Sequence, residues 1–440
     1  MPTIPPLIFT ILAYIWEFII AWWWLFLPFL LIKPALKFLL YWREEVYDNS
    51  VARMVLDIRI PSSEILRPFK AMEAVFNGLW QVYDPPAVFR EKWIEGQSTP
   101  SVSLEIASHE GDIHFYIRFA RKDRKVVESA IYAQFPDAEL TEVEDYVKTM
   151  VPPSIPNKEW DLYMADMAFV KPDVYPLRTY TKFFEPVPGE KEALRVDPMG
   201  ILLEGLQKMG KGEQLWVQMI CTPILKDDKD FISQAKAEVN KLVGRKEAKK
   251  PSSLLGGIGH DVANVTSVLA TGKELEEKEE EKGEEFIPVE MKLTPGERDI
   301  VMAIDEKISK HMFRCYLRYA YIAKREVFFT PSKAIPLGYF NQFSTGNLNA
   351  LKLHGKTKTK MKTIFWFLDK RRVFAKKRHM FRAYVNRMPP FYPKGDGAIL
   401  LNSEELASLY HFPGKTVAPG AVLERVSAKK GEAPPELPME

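Results

Sequence analysis

Residues 5–42 are PPLIFTILAYIWEFIIAWWWLFLPFLLIKPALKFLLYW, and this apolar stretch determines how the rest of the chain is organised. From Leu7 to Ile32, a run of 26 residues, the only charged side chain is that of Glu17. A helix of this length measures about 39 Å and can cross a hydrocarbon core of roughly 30 Å. We therefore predict a transmembrane anchor and juxtamembrane helix at residues 1–45. A buried core helix is the alternative, but such helices are seldom apolar on every side.

The charges beside this stretch predict its orientation. Lys33, Lys37 and Arg43 follow the apolar run, whereas no Lys or Arg precedes Leu7. The positive-inside rule then predicts a single-pass protein of the inner (cytoplasmic) membrane, with the N-terminus outside, the body in the cytoplasm and lipid as a partner. A signal peptide fits poorly because its basic residues come first. Residues 34–42 are too short for a second span and predict an interfacial amphipathic helix.

Hydrophobic periodicity predicts a ferredoxin-like domain, with the order β-α-β-β-α-β, at residues 50–150. Apolar residues alternate in 51–61, 102–108 and 113–120, and His109-Glu110-Gly111-Asp112 predicts a hairpin turn between the last two strands. Helical spacing follows the first strand and the hairpin, and a weaker strand follows Pro136. The chain has two cysteines, Cys221 and Cys315, both in apolar runs, which favours packed thiols over a disulfide or a metal site.

The same order is predicted again at residues 155–329, with a mobile insertion at about 226–285. The predicted strands lie at 160–181, 215–223, 287–293 and 311–328. Within the insertion, KELEEKEEEKGEE at 273–285 is a charge run typical of solvated chain. Thr294-Pro295-Gly296-Glu297 predicts a capping box with proline at the first helical position. The predicted class is therefore α+β: a transmembrane helix, two ferredoxin-like domains and a helical, basic C-terminal region.

That last region, residues 330–415, is basic and rich in aromatic residues. Between Lys352 and Arg387 it contains thirteen Lys or Arg residues and one acid, Asp369. Nucleic-acid contact, attraction to anionic lipid headgroups and a plain solvated surface all remain open. The candidate contact residues are Lys356, Lys358, Lys360, Lys362, Lys370, Arg371, Arg372, Lys376, Lys377 and Arg378.

The C-terminal stretch predicts a docking element. In ILLNSEELASLYHFP, residues 399–413, a helix is predicted with Ser403 as its N-cap and with an apolar face for a partner. The three residues of this face are Leu406, Leu409 and Tyr410. Residues 416–440 are rich in proline and predict an extended tail that serves as a linker or docking peptide, with a frayed terminus as the alternative.

Motifs for catalysis are missing from the sequence. Gly355-Lys356-Thr357 and Gly414-Lys415-Thr416 have Ala350 and Leu409 where a phosphate-binding loop needs an earlier glycine. The histidines do not cluster at metal-ligand spacing. We therefore predict a protein that is not an enzyme and has no cofactor.

Four blocks resemble a known family: VDPMGILLEGLQKMGKGEQLWVQM, LTPGERDIVMAIDEKISKHMFRCYLRYAYIAKREVF, GYFNQFSTGNLNALK and ILLNSEELASLYHFPG. Residues 50–440 resemble the membrane-proximal region that precedes the motor domain of bacterial type IV secretion and conjugal-transfer ATPases. In that family the motor follows the position of Leu437-Pro438, whereas this sequence ends at Glu440. The resemblance implies either a motor on a separate polypeptide or a paralogue that has lost its motor.

Two classes of function follow from these observations. The first is a non-catalytic structural or docking component of a translocation machine, which we expect to be oligomeric and to have a motor ATPase as partner. The second is a membrane-tethered module that binds nucleic acid, with DNA as the partner.

Overall fold

The computed structural model describes residues 6–60, 67–183, 197–225, 229–243, 293–360, 366–391 and 397–414. Over these residues the protein is a mixed α+β body with one antiparallel sheet, which confirms the α+β part of the prediction. The predicted strand at 287–293, the charge run at 273–285 and the tail at 416–440 lie outside the described residues.

The N-terminal apolar stretch forms one helix, α1 (Pro6–Ser50), with Pro28 and Pro34 inside it. By length and composition, α1 is the one helix of the described residues that could cross a membrane, and none of its most apolar window is buried in the protein. The sequence predicted a separate helix at 34–42, which is wrong because α1 continues through Pro34 to Ser50. Each proline removes one backbone donor, and the long helix accommodates both losses.

The strands of the described residues are β1 (Arg53–Arg59), β2 (Val102–His109), β3 (Asp112–Ala120), β4 (Glu139–Val143), β5 (Trp160–Phe169), β6 (Glu213–Ile224), β7 (Met312–Lys324), β8 (Leu351–Leu353) and β9 (Ile399–Asn402). The helices after α1 are α2 (Pro68–Leu79), α3 (Arg124–Tyr132), α4 (Tyr146–Thr149), α5 (Met199–Gln207), α6 (Lys229–Val243), α7 (Pro295–Ser309), α8 (Ile335–Asn341), α9 (Trp366–Val385) and α10 (Ser403–Leu409). A π-helix spans Glu91–Glu95, and a 3-10 helix spans Thr330–Ala334.

Two local predictions are confirmed by this order. From β1 to β4 the strands and α-helices follow the order β-α-β-β-α-β, and β2 and β3 form the predicted hairpin, with Glu110 and Gly111 at positive φ in the turn. At α7, the Thr294 side chain accepts from the backbone N–H of Glu297, whose side chain accepts in turn from the backbone N–H of Thr294. This reciprocal pair is the predicted capping box.

All strands belong to one sheet with the order β4-β1-β3-β2-β6-β7-β5-β8, and β9 pairs with β7. The two halves meet where β2 pairs antiparallel with β6. The sheet also extends past residue 329, because β8 and β9 from the predicted helical region add to it. The sequence did not predict these strands, which are only three and four residues long.

Each face of the sheet is covered by helices. On one face, α2, α3, α5, α8 and α10 enclose the main hydrophobic core. On the other face, α4 and α9 cover a second core that contains Tyr146, Trp216 and Tyr384. Helices α6 and α7 form a third cluster around Phe231 and Ile304, so the start of the predicted mobile insertion is a packed helix.

Candidate functional site

A row of buried polar side chains crosses the sheet beneath α9, with one residue from each of six neighbouring strands. The strand registers place them side by side in the order Asp57, Tyr116, Glu105, Gln218, Arg318 and Asp166. All six are buried. Buried charges require partners, because an unpaired charge in the interior is strongly destabilising.

Two arginines supply those partners and hold the end of α9. Arg318 Nε donates to Asp166 Oδ1 at 3.0 Å, and its two terminal nitrogens donate to the carbonyls of Ala383 and Met388 at 3.0 and 2.8 Å. Arg387 donates to both carboxylate oxygens of Glu105 and to those of Asp145. The sheet therefore fixes the C-terminal end of α9 through charged hydrogen bonds.

Glu105 is the centre of this network. Its carboxylate also accepts from Ser103 and Tyr146 hydroxyls, each at 2.6 Å, and from Gln218 Nε2 at 3.0 Å. Burial opposes ionisation, but the charge and hydrogen bonds of Arg387 outweigh it and lower the pKa of Glu105 to about 2. The carboxylate is thus ionised at neutral pH and serves as a structural anion.

The loop after β8 presents lysines at alternate positions along the edge of the sheet. In Lys356-Thr357-Lys358-Thr359-Lys360, both threonine side chains are buried against β5. Thr357 Oγ1 accepts from the backbone N–H of Asp166 at 3.1 Å, and Thr359 Oγ1 accepts from that of Met164 at 2.9 Å. The backbone N–H groups of Thr357 and Lys358 both donate to the carbonyl of His354, at 3.2 Å, so the loop begins with a turn. Lys356 and Lys360 are exposed, and Lys358 is half-buried.

Two further lysines face this loop. Lys333 lies on the 3-10 helix Thr330–Ala334 and Lys376 lies on α9, and both are half-buried. Burial lowers the pKa of Lys333, and the charges of Lys360 and Lys358 lower it further. Burial and the charge of Lys358 likewise lower the pKa of Lys376. We call Lys333, Lys358, Lys360 and Lys376 the lysine cluster.

The lysine cluster has no carboxylate partner within ion-pair distance among the described residues. Four cations from three elements lie near one another: burial lowers the pKa of Lys333 and Lys376, and the charge of Lys358 lowers both further. Such an arrangement favours binding of a polyanion, which would offset the positive charge. Lys333 was not predicted from the sequence, because the residue lies outside the basic run and only the fold brings it to the loop.

The other predicted contact residues divide into groups. Lys370, Arg371, Arg372 and Arg378 lie exposed on α9. Lys377 instead pairs with Asp161 at 2.6 Å. Lys362 lies outside the described residues.

The aromatic residues of the basic region divide in the same way. Trp366, Phe367 and Phe374 are exposed on α9, whereas Phe381 and Tyr384 are buried in the second core. Only the N-terminal half of α9 therefore combines exposed aromatic and basic side chains.

The predicted docking face is not on the surface. Leu406, Leu409 and Tyr410 are buried in the main core, where α10 packs on α2. These three side chains therefore cannot contact a partner in this structure. The helix also begins one residue earlier than predicted: its N-cap is Asn402, whose side chain accepts from the backbone N–H of Glu405 at 2.8 Å.

The described residues contain no group of three His, Cys, Asp or Glu side chains arranged as metal ligands. Cys221 and Cys315 face each other across β6 and β7, and both are free and buried, with 3.6 Å between the sulfur atoms.

No family model matches the chain, and no curated protein sequence matches it. Two features of the structure bear on function, the apolar helix α1 and the lysine cluster.

The lysine cluster and α1 lie at different places on the sheet. The helix α1 ends at Ser50, and β1 begins at Arg53. The cluster lies beside β5, which is five strand spacings from β1, or about 24 Å. Near its C-terminal end α9 comes close to α1, where Arg382 pairs with Glu45 at 3.7 Å. Lys376 lies six residues before Arg382 on the same helix, or about 9 Å along its axis.

Proposed function

We propose that this protein is a membrane-anchored, non-catalytic structural or docking component of a translocation machine similar to type IV secretion and conjugation systems, working with a separate motor ATPase. The observation that carries the proposal is the direct connection of α1 to the body. The helix extends to Ser50, and the first strand begins at Arg53. A body attached in this way has little freedom to reorient relative to its anchor, which suits a scaffold.

We infer further that the sheet consists of two ferredoxin-like units joined edge to edge. The strand order supports this: the first half has the order β4-β1-β3-β2, and the second half has the order β8-β5-β7-β6. If the strands of each half are numbered along the chain, both orders are 4-1-3-2, which is the arrangement of a split βαβ unit. In this arrangement β7 is the third strand of its unit rather than the last.

The resembled blocks support the same proposal. They contain α5 with β6, α7 with β7, α8 with β8, and β9 with α10. Strands β6, β7, β5 and β8 are neighbours in the sheet, and β9 pairs with β7. The blocks therefore come together in the second half of the body, as expected for parts of one structural unit.

A pull-down from the native cells tests the proposal. The full-length tagged protein is extracted with mild detergent after nuclease treatment, and the captured proteins are identified. We expect a membrane-associated ATPase with a complete phosphate-binding loop. Capture that persists without nucleic acid supports a protein docking role, and the absence of any such ATPase in the native system would contradict it.

A second function, contact with nucleic acid, is favoured by the lysine cluster. The cluster lies about 24 Å across the sheet from the strand that follows α1. The cluster is part of the folded body, where exposed and half-buried lysines can reach a polyanion. Lysine side chains neutralise phosphates without regard to sequence, so we expect such binding to depend strongly on salt.

A further inference from the structure

A loop beside α1 presents apolar side chains to solvent. We call residues 86–98 the juxtamembrane loop. Val88, Phe89 and Ile94 in this loop are 58%, 71% and 55% exposed. Phe89 stacks on Trp93, with 6.0 Å between the ring centroids, so its position is supported from within the loop. Three large apolar side chains exposed together on a short segment form a surface that suits an apolar environment.

The backbone of this loop packs directly on α1. Gly96 has φ +73, and a Cβ at this position would collide with the backbone carbonyl of Arg43. Glycine is needed here for both the positive φ and the close approach. The contact places the loop against the last third of α1, close to the point where α1 leads into β1.

The loop also has internal hydrogen bonds that hold its shape. The Glu91 carboxylate accepts from the backbone N–H groups of Ala87 and Val88 at 2.7 and 3.3 Å. The backbone carbonyl of Glu91 accepts from Gln97 at 2.9 Å. Phe89 and Ile94 are therefore presented by an ordered segment with a π-helix at its centre.

The exposed surface of α1 continues to the same place. Phe38, Leu39 and Trp42 are exposed on α1, just before Arg43. Basic side chains flank the apolar ones, with Arg43 on α1 and Arg90 and Lys92 on the loop, where Arg90 pairs with Glu95 at 3.0 Å. Apolar side chains with a border of Lys and Arg are typical of segments that lie in a membrane interface, and the long side chains of lysines can reach the headgroups.

We propose that the juxtamembrane loop is a second membrane contact, in which Val88, Phe89 and Ile94 enter the boundary between headgroups and acyl chains beside α1. This inference rests on the proposed anchoring by α1. Two contacts with one leaflet would fix the tilt of the body against the bilayer, which a single helix does not do. The occupant of this surface is lipid, because the loop continues the apolar surface of α1 itself.

The test uses the full-length protein in lipid nanodiscs, with single cysteines at Phe89, Ile94, Trp42 or Phe329 carrying an environment-sensitive fluorophore. The native Cys221 and Cys315 are buried, so the wild-type protein is the control for background labelling. Phe329 is the matched control because it is 61% exposed and lies far from α1. It follows β7, whose C-terminal end is at the opposite end of the strands from the start of β1. Fluorescence loss is measured with spin-labelled lipid and with aqueous iodide.

We expect the probes at Phe89, Ile94 and Trp42 to lose fluorescence with the lipid quencher and to be shielded from iodide, and the probe at Phe329 to do the reverse. If Phe89 and Ile94 behaved like Phe329 while Trp42 met lipid, the inference would be wrong and the anchor would stand. Shielding of both positions from both quenchers would indicate contact with protein, such as a second copy, and would also overturn the inference. Failure of Trp42 to meet lipid would place this end of α1 in water and would also overturn the inference, while leaving the crossing at residues 7–32 untouched.

Discussion

Arg387 and Glu105 lie 282 residues apart in the chain, yet the Arg387 guanidinium donates to both oxygens of the Glu105 carboxylate, at 2.9 and 3.0 Å. Arg387 has φ 52, in the left-handed region that non-glycine residues rarely adopt. The ion pairs with Glu105 and Asp145 hold this backbone in place. One arginine thus joins the turn after α9 to strand β2.

Replacing Arg387 with methionine should therefore destabilise the body strongly. The substitution leaves the buried Glu105 without its ion-pair partner and leaves Asp145 with only Arg118, at 3.9 Å. Removing one partner of a buried pair costs about 3–5 kcal/mol. Arg382→Met is the control five residues earlier, on α9, because the Arg382 side chain is 73% exposed and pairs with Glu45 near the surface. We expect it to cost less than about 1 kcal/mol. Denaturant unfolding in detergent measures both, and equal costs would show that the network adds nothing.

Two neighbouring histidines should give stability opposite dependences on pH. Burial lowers the pKa of His109 to about 4. Burial also opposes protonation of His114, but the hydrogen bond and charge of Asp57 raise its pKa. Below pH 6.5, the ordinary histidine pKa, His109 becomes protonated in the unfolded chain but stays neutral in the folded protein. His109 therefore lowers the free energy of unfolding as the pH falls from about 6.5 to about 4. The His114 contribution is present at low pH and is lost as pH rises through its raised pKa.

We therefore expect His109→Gln to reduce the loss of thermal stability between about pH 7 and about pH 5, and His114→Gln to increase it. Melting temperatures of the wild type and the two variants at both pH values measure this. Identical pH profiles for the three proteins would contradict the assignment.

Two capping boxes of the same chemistry should differ in their effect on stability. Glu405 is buried and accepts from the backbone of Asn402 and of Leu177, at 2.9 and 2.8 Å, while pairing with buried Lys307 at 3.2 Å. Glu405→Ala should cost about 3–5 kcal/mol because it leaves the Lys307 charge unpaired. Glu297→Ala removes the exposed box at α7 and should change the melting temperature much less. Similar shifts in the two variants would count against the buried ion pair.

Neutralising the lysine cluster should weaken nucleic-acid binding. In the protein with Lys333, Lys358, Lys360 and Lys376 all changed to Gln, we expect lower affinity for any DNA sequence and a salt slope reduced by about 1 for each lysine that contacts a phosphate. The matched control changes four exposed lysines on other elements. These are Lys122, Lys125, Lys208 and Lys241.

Gel shifts with full-length protein in neutral nanodiscs measure this binding, and flotation with anionic vesicles measures lipid binding. Equal losses in the two quadruple variants would make the cluster plain surface. A loss confined to the vesicles would assign it to headgroups.

The orientation of the body can be tested with one cysteine. Lys208 is exposed and follows α5, so Lys208→Cys should react with a membrane-impermeant reagent in inverted vesicles and stay unreactive in intact cells. The wild type should remain unlabelled in both, because its two cysteines are buried. Labelling of the variant from outside intact cells would reverse the predicted topology.

The sequence predicted features that depend on nearby residues. The capping box of Thr294 and the β2–β3 hairpin each depend on a few consecutive residues, and the structure has both. The predicted start of α10 was one residue too late because Asn402 and Ser403 are both good N-caps. The hydrogen bond from the Glu405 backbone N–H to the Asn402 side chain selects Asn402. The place of β7 between β6 and β5 depends on pairing with distant strands, which periodicity does not contain.

The candidate site was predictable in part for the same reason. The basic run at 352–387 is visible in the composition, but its alternation of buried threonines and more exposed lysines depends on β5 lying beside it. Lys333 enters the cluster through the fold alone. The docking prediction for Leu406 was wrong because an apolar helix face fits a partner and the chain's own core equally well, and here α2 covers it.

The pairing of β2 with β6 also affects how the protein is made. Every residue of β2 is buried, whereas the outer strand β4 exposes the charged side chain of Glu139 and others that discourage edge-to-edge association. During translation β2 leaves the ribosome about a hundred residues before β6. Until β6 has emerged, β2 has no strand to pair with on that side. The nascent chain is therefore most prone to aggregate in this interval. If the two halves were produced as separate polypeptides, the first half would keep β2 unpaired on that side until it met the second.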